Sequence, residues 1–317
     1  MSGPLVECVP NFSEGRDRTT LQALAEAANS VPGAAVLGQE MDADHNRAVL
    51  TMAGAPEAVA EAAVRAVGVA VERIDLNRHQ GVHPRLGAAD VVPFVPVEAI
   101  SLEECARLAR WVGQEIWSRY RIPVYFYEAA AMRPDRVHLA EIRRGQFEGL
   151  REEVRTNPDR APDVGLPLLH PTAGATAVGA RKFLIAYNIN LATTDLALAR
   201  RIARAVRFSS GGLPFVNAMG VPLPTRGLVQ VSMNLTDFER TPVDRVYQEV
   251  ARRASEAGVQ VAASEIVGLI PNRAIEMAPE HFRRFEKVDP AQIFEVRLAQ
   301  MRRDRSVDQA KGDNVRS

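Results

Sequence analysis

Short apolar runs alternate along this chain with amphipathic stretches, and proline, glycine or polar residues separate them. The short runs predict strands, and apolar positions that recur every three or four residues predict helices. From Leu5 to the run Val91–Val95, the first half is predicted to fold as strand, helix, strand, strand, helix, strand. It then adds a helix, opened by a capping box at Ser101 and Glu104, and a strand at 123–127.

The second half shows the same order of elements. Strands are predicted at 182–191, 215–219, 228–235 and 259–267, and helices at about 195–208 and 241–257. This βαββαβ order is the split βαβ, or ferredoxin-like, arrangement. The sequence therefore predicts an α/β (α+β) fold of two such subdomains, each with helices covering one face of its sheet.

An irregular segment at 156–174 carries four prolines and is the strongest candidate for a boundary in the chain. Together with the order of elements, it predicts an N-terminal subdomain at 1–180 and a C-terminal subdomain at 181–300. The tail at 301–317 is rich in arginine and aspartate and is expected to be disordered.

Composition narrows the class of protein. A chain of 317 residues with 46% hydrophobic and 25% charged residues is typical of a globular protein of two domains. Lysine plus arginine and aspartate plus glutamate each number 39, and this zero net charge argues against a nucleic-acid partner bound by overall charge. No stretch has the length or pattern of a signal peptide or a membrane span. The two cysteines predict neither a disulfide framework nor a metal site, which is typical of a protein in a reducing compartment. From these features together we expect a cytoplasmic protein with no membrane partner.

The stretch Arg78–Pro96 concentrates the candidate chemistry, because it holds two of the six histidines, His79 and His83. Gly81 and Pro84 prevent a helix from running through His83. The apolar strand that follows would anchor this loop to the core. His83 is therefore predicted to lie on a polar loop held by a scaffold and open to a cleft.

Three interpretations of His83 follow from the residues alone. The first is a metal site shared with His79, but the two histidines do not lie on a helix and the sequence indicates no third ligand. A structural histidine in a turn is the plain alternative. As a general base, His83 would accept a proton near neutral pH, and the neighbouring Arg78 and Arg85 would favour its neutral form.

Two other segments have more than one interpretation. The loop Asp42–Arg47 is either a solvated acidic turn or a recognition loop, in which Asn46 and Arg47 address an amide and a carboxylate. The segment Gly165–Gly174 contains glycines without the lysine of a phosphate-binding loop, so it is either a linker or a wall of a cleft. Cys8 lies inside an apolar strand and is predicted to belong to the core.

Six blocks, in order, resemble a known family. They cover about residues 5–271 and read LVECVPNFSEGRD, DADHNR, GVHPRLGAADVVPF, HPTAGATAVGARKFLIAYNINL, QVSMNLTDF and SEIVGLIP. Together they resemble the glutamate formiminotransferase (glutamate formimidoyltransferase) family. The resemblance implies transfer of the formimino group from N-formimino-L-glutamate to N5 of tetrahydrofolate in histidine degradation, giving 5-formiminotetrahydrofolate and L-glutamate.

The resemblance also implies where the site lies. In the family, two subdomains enclose a ligand tunnel for folate, and the histidine of the HPR motif, here His83, is the catalytic base. The donor's carboxylates call for arginine, and Asn46, Arg47 and Arg85 lie in suitable loops. The folate-binding segment corresponds to Gly165, Leu166, Pro167, Leu168, Leu169, His170, Pro171, Thr172, Ala173 and Gly174.

Cofactors and partners follow from the same resemblance. Tetrahydrofolate is expected as a co-substrate, with no metal. The chain would act as a stand-alone transferase, as a homodimer, and a separate cyclodeaminase is a possible partner because animal relatives carry that domain by fusion.

Two departures from the family pattern keep other functions open. Val82 stands where relatives often have glutamate, and Gly38–Glu40 stands where they often have an Asp-x-Asp. The alternatives are a related folate enzyme, using N-formylglutamate or acting on 5-formyltetrahydrofolate, and a non-catalytic folate-binding module.

Overall fold

The computed structural model describes residues 3–303 and divides into two compact units, Met1–Phe183 and Leu184–Ser317. Residues 301–303 continue a helix that begins at 294, and the rest of the tail predicted to be disordered lies outside the described residues. None of the helices in the described part of the chain combines the length and the apolar content needed to span a membrane.

Unit 1 contains a seven-stranded mixed sheet. Its elements are β1 (Leu5–Cys8), β2 (Asn11–Phe12), α1 (Arg18–Asn29), β3 (Ala34–Asp42), β4 (Arg47–Gly54), α2 (Pro56–Arg73), β5 (Ala89–Glu98), α3 (Leu102–Tyr120), β6 (Val124–Glu128), α4 (Leu139–Ile142), α5 (Gln146–Glu153) and β7 (Thr176–Ala180). Strands β1 and β2 both pair with β4 on one side and β5 on the other, so they act as one interrupted strand.

The predicted βαββαβ order is confirmed in unit 1. Across the sheet, β3 pairs with β4, β4 with β1 and β2, and these with β5, all antiparallel. Helices α1, α2 and α3 share one core with the sheet, in which Leu24, Ala63 and Ala109 pack with Cys8 and Val92. Alanines at the contact positions of α2 allow the helix to approach its neighbours closely.

Beyond this motif, unit 1 adds the predicted helix α3 and strand β6, and also strand β7, which the sequence patterns did not predict. Strand β7 lies between β5 and β6 and runs parallel to both. Helices α4 and α5 belong to a second core, in which Phe147 and Leu150 pack with Val91, Tyr125 and Ala177. This part of the sheet therefore has a core on each face.

The segment 156–174 does not itself separate the two units, which divide between Phe183 and Leu184. The segment is built into unit 1: the amide of Val124 donates to the carbonyl of Val164 at 3.0 Å, and β7 directly follows the segment. The prolines interrupt regular structure here without separating two bodies, because the segment's own backbone groups bond to the sheet.

Unit 2 contains a four-stranded antiparallel sheet in the order β11-β8-β10-β9. Its elements are β8 (Ile185–Leu191), α6 (Leu196–Val206), β9 (Val216–Leu223), β10 (Leu228–Leu235), α7 (Val243–Glu256), β11 (Val261–Val267), α8 (Asn272–Met277) and α9 (Pro279–Arg284). This is again the predicted βαββαβ order, and helices α8 and α9 follow it. A bridge between Ile270 and Ile293 attaches the last described helix to the unit.

Candidate active site

The loop that carries His83 joins α2 to β5 and is tied down along its length. The amide of Leu76 donates to the carbonyl of Thr172 at 2.8 Å, and the amide of Val82 donates to that of Asp44 at 3.2 Å. Gly81 passes so close to the 42–47 loop that an added Cβ would lie 2.3 Å from the carbonyl oxygen of His45. Only glycine allows this approach, which brings the two loops together.

His83 uses both ring nitrogens. Its Nδ1 lies 2.8 Å from the carbonyl oxygen of Pro84, an acceptor, so this nitrogen carries the proton. Nε2 therefore presents a lone pair, and Nη1 of Arg47 donates to it at 2.6 Å. The arrangement holds a partly buried, neutral imidazole whose basic nitrogen faces Arg47.

The surroundings of His83 disfavour its charged form. Burial lowers the pKa of His83 well below its ordinary value of 6.5, and the positive charges of Arg47 and Arg143 and the nearby His45 lower it further. These causes favour the neutral form that the sequence predicted. The arginines that act on His83 are Arg47 and Arg143, however, and not the predicted pair, Arg78 and Arg85. Arg78 is 89% exposed and pairs with Asp75 at 3.8 Å.

Arg47 is the first residue of β4 and points into the same site. The pKa of its guanidinium is lowered to about 10, mainly by burial and then by the positive charge of Arg143, while the charges of Asp90 and Asp42 oppose the shift. Arg143 forms an ion pair with Asp90, whose other carboxylate oxygen accepts from the amide of Leu86 at 2.8 Å. Arg47 therefore contacts His83 directly, and Arg143 adds a second positive charge that acts on it.

Sequence reasoning missed Asp90 and Arg143. Asp90 could have been noticed as a charged residue within an otherwise apolar run. Arg143 lies in a charged stretch between α4 and α5, where nothing in the sequence distinguishes it from its neighbour Arg144.

His79 and Asn46 hold the loops together. Nε2 of His79 lies 2.8 Å from the carbonyl oxygen of Asn46, to which it donates, and Nε of Arg85 donates to Nδ1 of His79 at 3.1 Å. The side chain of Asn46 accepts from the amide of Gly15 and donates to the carbonyl of Gln80. The backbone of Asn46 has a positive φ of 48°, a conformation that asparagine tolerates better than most residues.

Arg85 forms an ion pair with Glu148. Its two terminal nitrogens donate to the carboxylate of Glu148 at 2.8 and 2.6 Å, a bidentate pair. Gln146 accepts a further bond. A substrate carboxylate at Arg85 would have to displace Glu148, whose side chain is 56% exposed.

The segment 165–174 has an exposed half and an anchored half. Leu166 and Leu168 are 61% and 46% exposed, although both are large and apolar. The anchored half turns back at His170, whose Nδ1 accepts from the amide of Ala173 at 3.0 Å. Because Thr172 bonds to the His83 loop at Leu76, the segment lies beside that loop within unit 1.

These side chains share a small cleft. It is lined by Phe12, Ser13, His45, Asn46, Arg47, His79, His83, Arg85 and Asp90.

Within residues 3–303, no group of three or more histidine, cysteine, aspartate or glutamate side chains is placed to hold a metal ion. Cys8 is buried, as predicted, and burial raises the pKa of its thiol well above 9.0, so it is not poised as a nucleophile.

A larger cavity lies elsewhere in unit 1. It is lined by Tyr125, Arg133, Asp135, Arg136, Glu141, Ile142, Arg144, Asp159 and Arg160. Its buried arginines are engaged: Arg136 pairs with Asp163 at 2.7 Å, and Arg160 with Glu153 at 3.0 Å.

Comparison with known proteins agrees with the sequence resemblance. Residues 5–181 match the formiminotransferase domain, N-terminal subdomain, and residues 186–301 match the formiminotransferase domain. A glutamate formimidoyltransferase of Streptococcus pyogenes is 42% identical over 90% of this chain and 95% of its own length. One from Thermoplasma acidophilum is 43% identical over 93% of this chain and 97% of its own. The formimidoyltransferase-cyclodeaminase of Gallus gallus is 44% identical over 90% of this chain and 53% of its own length.

Proposed function

The chain belongs to the formiminotransferase family, and we propose that it transfers the formimino group of N-formimino-L-glutamate to N5 of tetrahydrofolate. The products are 5-formiminotetrahydrofolate and L-glutamate. The observation that carries the mechanism is His83, a residue that lines the cleft, whose Nδ1 is bonded to Pro84 and whose basic Nε2 accepts from Arg47.

His83 serves as base and then as acid. N5 of tetrahydrofolate attacks the formimino carbon, and the proton of N5 passes to Nε2 of His83. The resulting tetrahedral intermediate then breaks its bond between carbon and the glutamate nitrogen, and His83 returns the proton to that nitrogen. One imidazole near its neutral state can perform both transfers, and no proton is gained or lost overall.

The substrates are assigned to neighbouring parts of the site. Arg47 binds a carboxylate of the donor, because its guanidinium lies beside the base. Asn46 shapes the loop that presents Arg47, and Arg85 can reach a second carboxylate only by leaving Glu148.

Tetrahydrofolate is assigned to Gly165–Gly174, where exposed Leu166 and Leu168 offer apolar surface to the folate rings. A tunnel between the two halves stays a prediction.

Partners follow from this function. We propose a cytoplasmic homodimer that delivers 5-formiminotetrahydrofolate to a separate cyclodeaminase. Light scattering on the purified chain tests the dimer, because a single mass of about twice 34.7 kDa is expected.

The activity is tested by offering three formyl or formimino sources in parallel. We expect release of L-glutamate from N-formimino-L-glutamate with tetrahydrofolate, and little turnover of N-formyl-L-glutamate or of 5-formyltetrahydrofolate. A preference for either formyl compound would assign a related folate enzyme. Binding of tetrahydrofolate without any turnover would assign a binding module.

The base is tested by His83→Ala and His83→Gln. Both should lower kcat by roughly 10²–10⁴-fold, the usual share of general acid–base catalysis, and leave the fold and tetrahydrofolate affinity unchanged. His138→Ala is the matched control, because His138 is exposed on the surface of the same unit. A folded His83→Ala protein that kept most of its kcat would exclude the assignment.

A further inference from the structure

The base of the proposed reaction is occupied in this structure by a side chain of the protein itself. Nε2 of His83, which must accept the proton of N5, already accepts a hydrogen bond from Arg47 at 2.6 Å. With Nδ1 bonded to Pro84, the ring has no second basic nitrogen to offer. Catalysis therefore requires Arg47 to move.

A carboxylate is a stronger partner for Arg47 than a neutral imidazole. Hydrogen bonds between a guanidinium and a carboxylate are charge-assisted and roughly twice as strong as bonds to neutral acceptors. They can also be bidentate, which the single nitrogen of His83 cannot match. A donor with two carboxylates that enters the cleft will therefore compete with His83 for Arg47.

Arg143 supplies a second positive charge near Arg47. It reaches the site from the turn between α4 and α5 and is held there by Asp90, which lines the cleft. Among the described residues, the buried Nε of Arg143 has no hydrogen-bond partner. Arg47 and Arg143 carry like charges close enough to affect one another, and Asp90 and Asp42 are the acids that oppose them. An anion between the two guanidinium groups relieves their repulsion.

The position of Arg143 is built into the fold. Arg160 donates to the backbone carbonyls of Glu141, Ile142 and Arg144, which surround Arg143 on both sides. Arg160 belongs to the segment that leads to 165–174. The turn is thus clamped in the conformation that directs Arg143 towards Asp90.

We infer that a carboxylate of the donor binds between Arg47 and Arg143 and draws Arg47 away from Nε2 of His83, so that the substrate uncovers its own base. The inference rests on the proposed function and adds Arg143 as a substrate-binding residue. It also explains how a histidine bonded to Arg47 becomes a proton acceptor: the departure of Arg47 frees the lone pair, and the incoming negative charge stabilises the imidazolium.

The first test observes Nε2 directly. In the full chain labelled with ¹⁵N-histidine, the His83 signals are assigned by their loss in His83→Gln. L-glutamate, the product that carries both carboxylates, is added with and without saturating tetrahydrofolate. We expect the Nε2 resonance to shift, and L-glutamine amide, which has the same carbon chain and no carboxylate, to leave it unchanged.

The second test separates Arg143 from a general effect of charge. Arg143→Gln should raise the KM for N-formimino-L-glutamate about tenfold or more and change the KM for tetrahydrofolate little, since it removes a charge-assisted bond to one substrate. Arg144→Gln is the matched control, because Arg144 is 68% exposed on the same turn and its ion pair with Glu141 spans 3.9 Å. The double variant Asp90→Asn/Arg143→Gln, which leaves no unpaired acid, should show the same KM pattern.

Three results would overturn the inference: no binding of L-glutamate, binding that leaves the Nε2 resonance in place, or equal KM values for Arg143→Gln and Arg144→Gln. Turnover by the unmodified chain decides the proposed function separately. If it transfers the formimino group while the Nε2 resonance stays unchanged by L-glutamate, only the inference is wrong.

Discussion

Arg47 donates a hydrogen bond of 2.6 Å to Nε2 of His83, joining the first residue of a strand to a loop 36 positions later in the chain. The contact holds the imidazole in the tautomer with its proton on Nδ1. It also places a positive charge directly against the nitrogen that must accept a proton. The pH dependence and the substrate dependence of catalysis should both reflect this pair.

The pH profile of kcat/KM should extend to unusually low pH. Because burial, Arg47, Arg143 and His45 all lower the pKa of His83, the neutral form persists below 6.5 in the free enzyme. We expect kcat/KM for the donor to stay high as pH falls through 6.5 and to decline only below it. Arg47→Met should move this acidic limb to higher pH. A wild-type limb at or above 6.5 would contradict the electrostatic description.

Replacement of the two candidate arginines by lysine should give different results. Arg47→Lys should raise the KM for the donor about tenfold while leaving that for tetrahydrofolate nearly unchanged, because lysine cannot reproduce a bidentate bond. Arg85→Lys should have the smaller effect on the donor, because the fork of Arg85 is already used by Glu148. Steady-state kinetics with each substrate varied in turn decide this. If Arg85→Lys has the larger effect, Arg85 is the donor's arginine.

Gly81→Ala should lower catalytic efficiency by displacing the 42–47 loop, which leads to Arg47. The new Cβ would meet the carbonyl oxygen of His45 at 2.3 Å, so the two loops must separate. We expect kcat/KM to fall more than tenfold, since a displacement of about 1 Å can cost 10²-fold. Gly149→Ala in α5 is the control, because its Cβ would meet no atom within 4 Å. It should keep full activity and raise the free energy of unfolding by about 0.5–1 kcal/mol.

Leu166→Ser should weaken tetrahydrofolate binding without destabilising the protein. The side chain is 61% exposed, so its removal costs the fold little, but a folate ring that covers it would lose apolar contact. We expect the KM for tetrahydrofolate to rise about fivefold or more, within the range of partial burial of a leucine. Met132→Ser, at a position 62% exposed in the same unit, is the control in thermal unfolding and kinetics. Equal kinetics for the two variants would remove Leu166 from the folate site.

The elements that are local in sequence were predictable. The helix that begins at Ser101 could be identified because its capping box involves residues three apart, and the structure shows both of its hydrogen bonds. The turn around His83 was predictable for the same reason, since Gly81 and Pro84 act on the backbone where they stand. The apolar periodicity likewise predicted both βαββαβ units.

The sequence by itself determined the two βαββαβ units and a histidine on a loop ahead of a buried strand, because periodicity and backbone restrictions act over a few residues. Only the tertiary structure decided which charges surround that histidine. Arg143 meets Asp90 across 53 positions, and β7 joins β5 and β6 through parallel pairing that no local pattern encodes. A side chain's partners depend on where the whole sheet places distant segments, so Arg78, a neighbour in sequence, points to Asp75 while Arg47 reaches His83.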